Sequence, residues 1–169
     1  MKPTRLSAVL ILSLVAFGAT GCAVITKGRK QEVVVRSTPS GAVTKINGTE
    51  VGSTPFKVTL TRSDVFRVDF EKPGFAPRAA LLLPSSAEYD SRYIRWGLDY
   101  DLGAATDLIP AELSVELQPQ LDNISMADRF EEMSAQIVRA DALLASGELS
   151  ASDHKYLVDQ IIATYHRAP

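Results

Sequence analysis

The sequence is poor in the residues that most often carry metals, disulfides or catalysis. Its 169 residues include one cysteine, Cys22, and two histidines, His154 and His166. One cysteine excludes an intrachain disulfide, and two separated histidines with no cysteine nearby do not form a zinc pattern. We therefore expect both histidines to face solvent, and we expect neither a metal nor a cofactor.

Catalytic motifs are also missing. The sequence has no Gly-x-Ser-x-Gly, no Walker loop and no Cys–His pair, so it offers no candidate nucleophile and no phosphate cradle. The carboxylates at Asp99 and Asp101 lack the rest of a calcium loop, including its closing glutamate. The sequence predicts that the protein is not an enzyme.

Positive charge is not in excess. The chain has 18 Lys and Arg against 20 Asp and Glu, with a formal net charge of −2. Nucleic-acid binding requires a concentrated basic face, and no such cluster is visible. We therefore expect no nucleic-acid partner.

The N-terminus has the pattern of a signal peptide at residues 1–21. Lys2 and Arg5 precede an apolar run at residues 6–17. A bilayer requires about 20 apolar residues, so this run is too short to be a permanent transmembrane helix.

Residues Ala19-Thr20-Gly21-Cys22 resemble the lipobox of bacterial lipoproteins, although Ala19 stands where that family prefers Leu. The resemblance implies cleavage before Cys22 and a lipid on its sulfur. Each buried CH₂ contributes about 0.8 kcal/mol, so two or three acyl chains give a stable anchor. Ala23, rather than Asp, follows the cysteine, which in similar lipoproteins implies the periplasmic face of the outer membrane. The alternative is ordinary secretion with a chance cysteine.

After a polar tether at residues 22–30, hydrophobic residues alternate as in half-buried antiparallel strands. The alternation is clearest in residues 31–37, 56–60 and 66–70. Asn47-Gly48 predicts a β-hairpin, since a type I′ turn needs positive φ at both central residues. We expect most of the core to come from Phe56, Val58, Leu60, Phe66, Val68 and Phe70.

Four short blocks in this region resemble, in order and spacing, the motif of the PEGA domain, a small β-sandwich of bacterial cell surfaces. The resemblance covers about residues 31–83, and Ser40 stands where the name-giving motif has Glu. It implies an interaction or scaffold module without shared catalytic residues. The blocks are residues 37–42, Ile46-Asn47-Gly48, residues 51–55 and Lys72-Pro73-Gly74-Phe75.

Residues 85–111 form an aromatic and glycine-containing connection that begins with a break at Pro84. Tyr93, Trp96 and Tyr100 gather there. Such aromatics can bind sugars or simply join a core. Leu113 to Leu117 then alternates as the strand that closes the sandwich, and we expect it to pair with residues 31–37. The predicted sandwich, including the connection, spans residues 31–118.

Residues 119–169 have helical spacing and predict an antiparallel helical hairpin. Ser125 with Asp128 and Ser150 with Asp153 resemble capping boxes, and Gly147 marks the end of the first helix. The hairpin loosely resembles the short C-terminal oligomerisation domain of bacterial proteins. The predicted apolar seam of the first helix is Met126, Phe130, Met133, Ile137, Ala140 and Leu144.

The sequence as a whole predicts a mainly β protein, with a small antiparallel β-sandwich followed by a helical hairpin. The expected function is that of a membrane-anchored, non-enzymatic envelope lipoprotein. Its expected partners are the membrane through lipidated Cys22, and a protein or a second copy through the hairpin. The alternative is a carbohydrate- or peptidoglycan-binding module that uses aromatic residues 93–100.

Overall fold

A computed structural model of the chain describes residues 28–86, 106–121 and 128–167. These residues form strands followed by two helices, which confirms the predicted fold class. No helix in these ranges is long and apolar enough to cross a membrane. The elements are β1 (Lys30–Thr38), β2 (Val43–Ile46), β3 (Thr49–Ser53), β4 (Phe56–Thr61), β5 (Phe66–Glu71), β6 (Arg78–Ser86), β7 (Thr106–Ile109), β8 (Glu112–Glu116), α1 (Arg129–Ser146) and α2 (Ala151–Arg167).

The strands form two sheets, one with the order β4-β1-β8 and one with the order β3-β2-β5-β6-β7. The predicted pairing of β1 with the closing strand is confirmed, since Val34 aligns with Glu112 and Thr38 with Glu116. This pair is parallel, not antiparallel as expected throughout the sandwich. A parallel pair requires a long crossover, and here the chain from β2 to β7 supplies it.

The hairpin predicted at Asn47-Gly48 is confirmed. β2 and β3 pair antiparallel around it, and φ is 49° at Asn47 and 82° at Gly48, as a type I′ turn requires. The Arg67 N–H donates to Asn47 Oδ1 at 2.9 Å, and the Asn47 N–H donates to the Arg67 carbonyl at 2.9 Å. The turn is therefore bonded to the start of β5.

The chain divides into two compact units. Of the described residues, one unit contains 28–33, 57–65, 82–86 and 106–111, and the other contains 34–56, 66–81, 112–121 and 128–167. The first unit buries Val33, Leu82 and Leu108. The second contains both helices, and its buried hydrophobic residues are Val35, Ala42, Ile46, Val68, Phe70, Phe75, Leu113, Leu117, Ala140, Leu149, Leu157, Ile161 and Tyr165.

The predicted core is only partly correct. Val68 and Phe70 are fully buried, whereas the other four predicted residues, Phe56, Val58, Leu60 and Phe66, are half-buried. β4 lies at the edge of its sheet, so its side chains have a neighbouring strand on one side only. Phe66 is the first residue of β5 and is less covered than those that follow it.

β6 and β7 were not predicted from the sequence. β6 continues through Pro84, which pairs with Leu108 of β7, so the break expected there is absent. In β6, Leu82 is buried while Leu81 and Leu83 are exposed. Consecutive leucines hide the period of two that would otherwise reveal a strand.

The ends of the helices agree in part with the predictions. The Asp153 N–H donates to Ser150 Oγ at 3.1 Å, which confirms the cap of α2. Gly147 is the C-cap of α1, and its N–H points to the Leu143 and Leu144 carbonyls. α1 begins at Arg129 with Asp128 at the N-cap position and without a side-chain cap bond. The predicted cap Ser125 lies outside the described residues.

The apolar seam predicted for α1 is wrong at two positions. Phe130 is 77% exposed and Leu144 is 37% exposed. Ala140 is buried as expected, but the other buried residue of α1 is the polar Gln136. The buried side of the helix is therefore rotated away from Phe130. Met126 of the predicted seam lies outside the described residues.

Candidate functional site

The predicted site residues lie outside the part of the chain that the structure describes. These are the lipidation residue Cys22 and the aromatic residues Tyr93, Trp96 and Tyr100. Residues 1–21, most of the tether and most of the aromatic connection are outside it as well. The candidate site is therefore built from the motif blocks and from the helices.

Thr54 joins the first and third motif blocks. Its Oγ1 lies 2.5 Å from Ser37 Oγ and accepts the Ala42 N–H at 3.1 Å. Its carbonyl accepts the Gly41 N–H at 2.8 Å, and its own N–H donates to the Ala42 carbonyl at 3.0 Å. Ser37 and Thr54 are both buried. Because buried polar groups need partners, these residues have a structural role.

Lys72 joins the first block to α2. Its Nζ donates to the Ser40 carbonyl at 2.8 Å and lies 3.0 Å from Asp153 Oδ2. The Lys72 side chain is only 7% exposed and that of Asp153 is 17% exposed. The bond to residue 40 uses its backbone, so it does not depend on the side chain there. Ser in place of the motif Glu is compatible with this contact.

Gly74 allows close approach of the helical hairpin. Its φ is +80°, and a Cβ built on it would lie 2.7 Å from Leu157 Cδ2 and 3.2 Å from Leu143 Cδ1. Its carbonyl accepts the Gln120 N–H at 3.0 Å. Leu157 is buried and so cannot move aside freely. A side chain at this position would separate the turn from both helices.

Phe75 and Tyr156 complete the contact. Their rings stack with centroids 6.2 Å apart, and the Tyr156 hydroxyl donates to Glu116 Oε1 at 3.1 Å. Burial, followed by the Glu116 carboxylate, raises the pKa of Tyr156 above its ordinary 10.0. We call Lys72, Gly74, Phe75 and Glu116 the docking face, since they receive the helical hairpin.

The two helices are also linked to each other. His154 Nε2 of α2 lies 2.8 Å from Asp141 Oδ1 of α1. The side chain of His154 is 19% exposed, so the expectation that it faces solvent is wrong. His166 is exposed, as expected. Within the described ranges, no group of three or more His, Cys, Asp and Glu side chains could hold a metal ion.

A groove lies between the turn at Gly74 and the two helices, with a volume of about 570 Å³. Its aliphatic lining includes Leu143, Leu157 and Ile161, and its polar lining includes Gln120, Gln136, Arg139 and Glu148. Gln136 is 7% exposed. The groove and the docking face belong to the same compact unit.

A polar cluster in the other unit was not predicted. Arg62 Nη1 donates to Gln31 Oε1 at 2.8 Å and forms an ion pair with Asp107. Gln31 Nε2 donates to the Leu108 carbonyl at 3.1 Å, and the Leu108 N–H donates to Gln31 Oε1 at 2.9 Å. The Gln31 side chain thus bonds to β7 as a neighbouring strand would. No sequence signal pairs these distant residues.

The motif blocks correspond to a known family. The PEGA domain model matches residues 30–81. PEGA domains occur in envelope and periplasmic proteins. Neither a comparison with curated proteins nor one with solved structures finds a match.

Only one side of the docking contact lies within the PEGA match. Lys72, Gly74 and Phe75 lie inside the matched range, whereas Asp153 and Tyr156 lie beyond it. The docked helices therefore lie beyond the matched range and contact its last motif block. That block was recognised in the sequence but its partner was not, because a lysine and an aspartate so far apart in the chain carry no pairing signal.

Proposed function

We propose that the protein is a membrane-anchored, non-enzymatic lipoprotein of the cell envelope that serves as a protein-interaction or structural module. The observation that supports this most is the use of the PEGA motif residues. Lys72, Gly74 and Phe75 hold the helical hairpin, and Thr54 holds the turn beside them. Motif residues that hold the fold together in this way suit a scaffold.

The proposed anchor is Cys22, acylated at the end of a cleaved signal peptide. The PEGA match supports an envelope location, because PEGA domains occur in envelope and periplasmic proteins. Ala23 after the cysteine favours the periplasmic face of the outer membrane. A short tether would then hold β1, which begins at Lys30, close to the membrane surface.

The proposed contact surface for a protein partner or a second copy is the outer side of the helical hairpin. Phe130 is 77% exposed and Val138 is 65% exposed on α1. Contiguous patches of exposed apolar side chains are typical of interaction surfaces.

Metabolic labelling of cells with an alkyne fatty acid tests the anchor. The wild-type chain should take the label, and Cys22→Ser should lose it. Ser13→Ala, which changes only the apolar run, should keep the label and is the matched control. Labelling of Cys22→Ser, or no labelling of the wild type, would contradict the proposal.

A further inference from the structure

We propose that the first compact unit rests, at the end where β1 begins, on a membrane surface that contains anionic phospholipid. The inference rests on the anchor proposed above and names the surface of the chain that the anchor brings to the membrane. We call this surface the proximal surface. It consists of five exposed residues at or beside the start of β1, which are Arg29, Lys30, Val65, Leu83 and Ile109.

The length of the tether limits how far the proximal surface can lie from the membrane. Gly28, the first described residue, is six positions after the proposed acylation site Cys22. Six residues of chain span at most about 20 Å whatever their conformation. Arg29 and Lys30 follow directly, so lipid on residue 22 keeps them within reach of the headgroups. A short tether also gives the surface a high effective concentration at the membrane, so weak contacts suffice.

Hydrogen bonds bring two other segments to the start of β1. The Arg62 N–H donates to the Arg29 carbonyl at 3.0 Å, which places the turn between β4 and β5 beside the tether. Val65 lies in that turn and is 55% exposed. The Gln31 side chain bonds to the carbonyl and the N–H of Leu108, which places β7 beside the start of β1 as well.

β6 and β7 add two apolar side chains to the proximal surface. Leu83 of β6 aligns with Ile109 of β7, and these residues are 47% and 52% exposed. Their neighbours Leu82 and Leu108 are buried, because successive side chains of a strand point to opposite faces of the sheet. Transfer of such apolar side chains, and of Val65, from water into a lipid interface favours binding.

The charges of this unit favour anionic lipid. Its described residues include four Lys and Arg and three Asp and Glu. Two ion pairs take up two charges of each sign, which leaves Arg29 and Lys30 against Asp64. Each basic residue close to an anionic lipid surface strengthens binding by about fivefold. The ion pairs are those of Glu32 with Lys57 and of Asp107 with Arg62.

Hydrogen exchange of the chain isolated from cell envelopes tests the contact. The chain is attached to vesicles of phosphatidylethanolamine and phosphatidylglycerol, and mass spectrometry follows deuterium uptake by the turn at residues 62–65. Where the isolated chain carries no lipid, its Cys22 thiol is coupled to maleimide-bearing lipid, so that attachment at residue 22 is the same in either case. We expect the turn to exchange about tenfold more slowly than on vesicles of phosphatidylcholine, which carry no net charge.

Lys30→Gln should reduce this slowing about fivefold, because one of the two cations is lost. Lys57→Gln is the matched control, since it makes the same change in the same unit at a lysine that is already paired with Glu32. It should keep most of the slowing. Val65→Asp should abolish the slowing, because a carboxylate would have to leave water beside anionic lipid. Unchanged exchange of the two helices shows that each variant is folded.

Three results would overturn the inference: equal exchange on the two kinds of vesicle, equal effects of Lys30→Gln and Lys57→Gln, or wild-type slowing in Val65→Asp. The result is separable from the test of the anchor. A chain that takes the fatty-acid label but exchanges equally on both vesicles contradicts the proximal surface alone. A chain that takes no label but shows the slowing after coupling to lipid contradicts the anchor alone.

Discussion

Thr54 illustrates, at the scale of a residue, how a motif position acts through hydrogen bonds. Thr54→Val keeps the shape but removes the hydroxyl that meets Ser37 and the Ala42 N–H. Leaving such buried groups without a partner should lower the free energy of unfolding by about 1–3 kcal/mol. Urea denaturation followed by circular dichroism measures the change.

The control for this prediction is Thr59→Val, on the exposed side of β4. It should alter stability by less than about 0.5 kcal/mol, as is usual for surface positions. Equal effects of the two variants would show that the hydroxyl of Thr54 does not stabilise the turn.

Substitutions at Gly74 and Gly147 distinguish the cost of backbone strain from the cost of side-chain crowding. Both have φ of +80°, but a Cβ meets Leu157 at Gly74 and nothing within 4 Å at Gly147. Each Ala substitution costs about 1 kcal/mol or more for the left-handed conformation, and Gly74→Ala also disturbs a packed contact. We therefore expect Gly74→Ala to be the more destabilising, by roughly 1–3 kcal/mol.

The same urea experiment compares these glycine variants. Equal losses of unfolding free energy in both variants would mean that the helices move away from residue 74 at no energetic cost. A smaller loss at Gly74 than at Gly147 would contradict the close approach of the hairpin altogether.

Single residues with local signals were predicted well. The Asn47-Gly48 turn and the Ser150 cap depend on neighbours within a few positions, and both are present. Gly74 was recognised as part of a motif. The side chain that leaves no room for a Cβ there, Leu157, lies in a helix far along the chain. Local chemistry fixes a turn, whereas only the packed structure shows what approaches it.

At the scale of elements, the ion pair between Lys72 and Asp153 ties the end of β5 to the start of α2. Lys72→Met leaves the largely buried carboxylate unpaired and should destabilise by about 3 kcal/mol. In a double-mutant cycle with Asp153→Asn, the coupling should be about 1–3 kcal/mol. Urea unfolding of the four chains gives this coupling.

The matched control for that cycle is the exposed pair Lys57 and Glu32, which are 2.8 Å apart. Its coupling should stay below about 1 kcal/mol, since exposed pairs contribute little. Coupling of the Lys72 pair no larger than that of the exposed pair would contradict its role in holding α2.

Tyr156 makes the contact of α2 with β8 sensitive to alkaline pH. Its pKa in the folded chain is raised above 10.0, chiefly by burial and then by Glu116. Between pH 10 and the raised pKa, Tyr156 holds its proton more often in the folded state than in the unfolded state. The free energy of unfolding therefore falls as the pH rises. The stabilisation from the protonated Tyr156 hydroxyl is fully present below pH 10 and is lost as the pH rises through the raised pKa.

Tyr156→Phe should therefore lose less stability than the wild type between pH 9 and pH 11. The comparison of the two chains by urea unfolding cancels the titration of other groups. An identical loss in both would show that Tyr156 does not titrate differently in the folded state.

Strands in which apolar and polar residues alternate regularly were predicted, and strands without that alternation were missed. The alternation of Val33 and Val35 located β1, and the alternation of Leu113 to Leu117 located its partner. The leucine run of β6 hid its period, and β7 lay in a segment interpreted as a connection. The direction of the β1–β8 pair depends on the crossover between them, which periodicity does not encode.

At the scale of the whole molecule, the helices and most of the PEGA match, residues 34–56 and 66–81, belong to one compact unit, although the matched range ends before the helices. The motif blocks predicted the first part and the helical spacing of apolar residues predicted the second. Their attachment rests on a few contacts between residues distant in sequence, chiefly those of Lys72, Gly74 and Phe75. Such contacts become visible only once the fold is known.

The proposed role of the whole molecule depends on its anchor. Acylation at Cys22 would keep the docked module at one membrane surface, and two or more chains make that attachment stable. Without acylation the same module would be released, and its contact surfaces would meet partners in solution.

Intact mass spectrometry of the chain extracted from cell envelopes tests this most directly. We expect a chain that begins at Cys22 and is heavier than its polypeptide by a diacylglyceryl group and an acyl chain. A chain that keeps residues 1–21, or that begins at another residue with no added lipid, would contradict it.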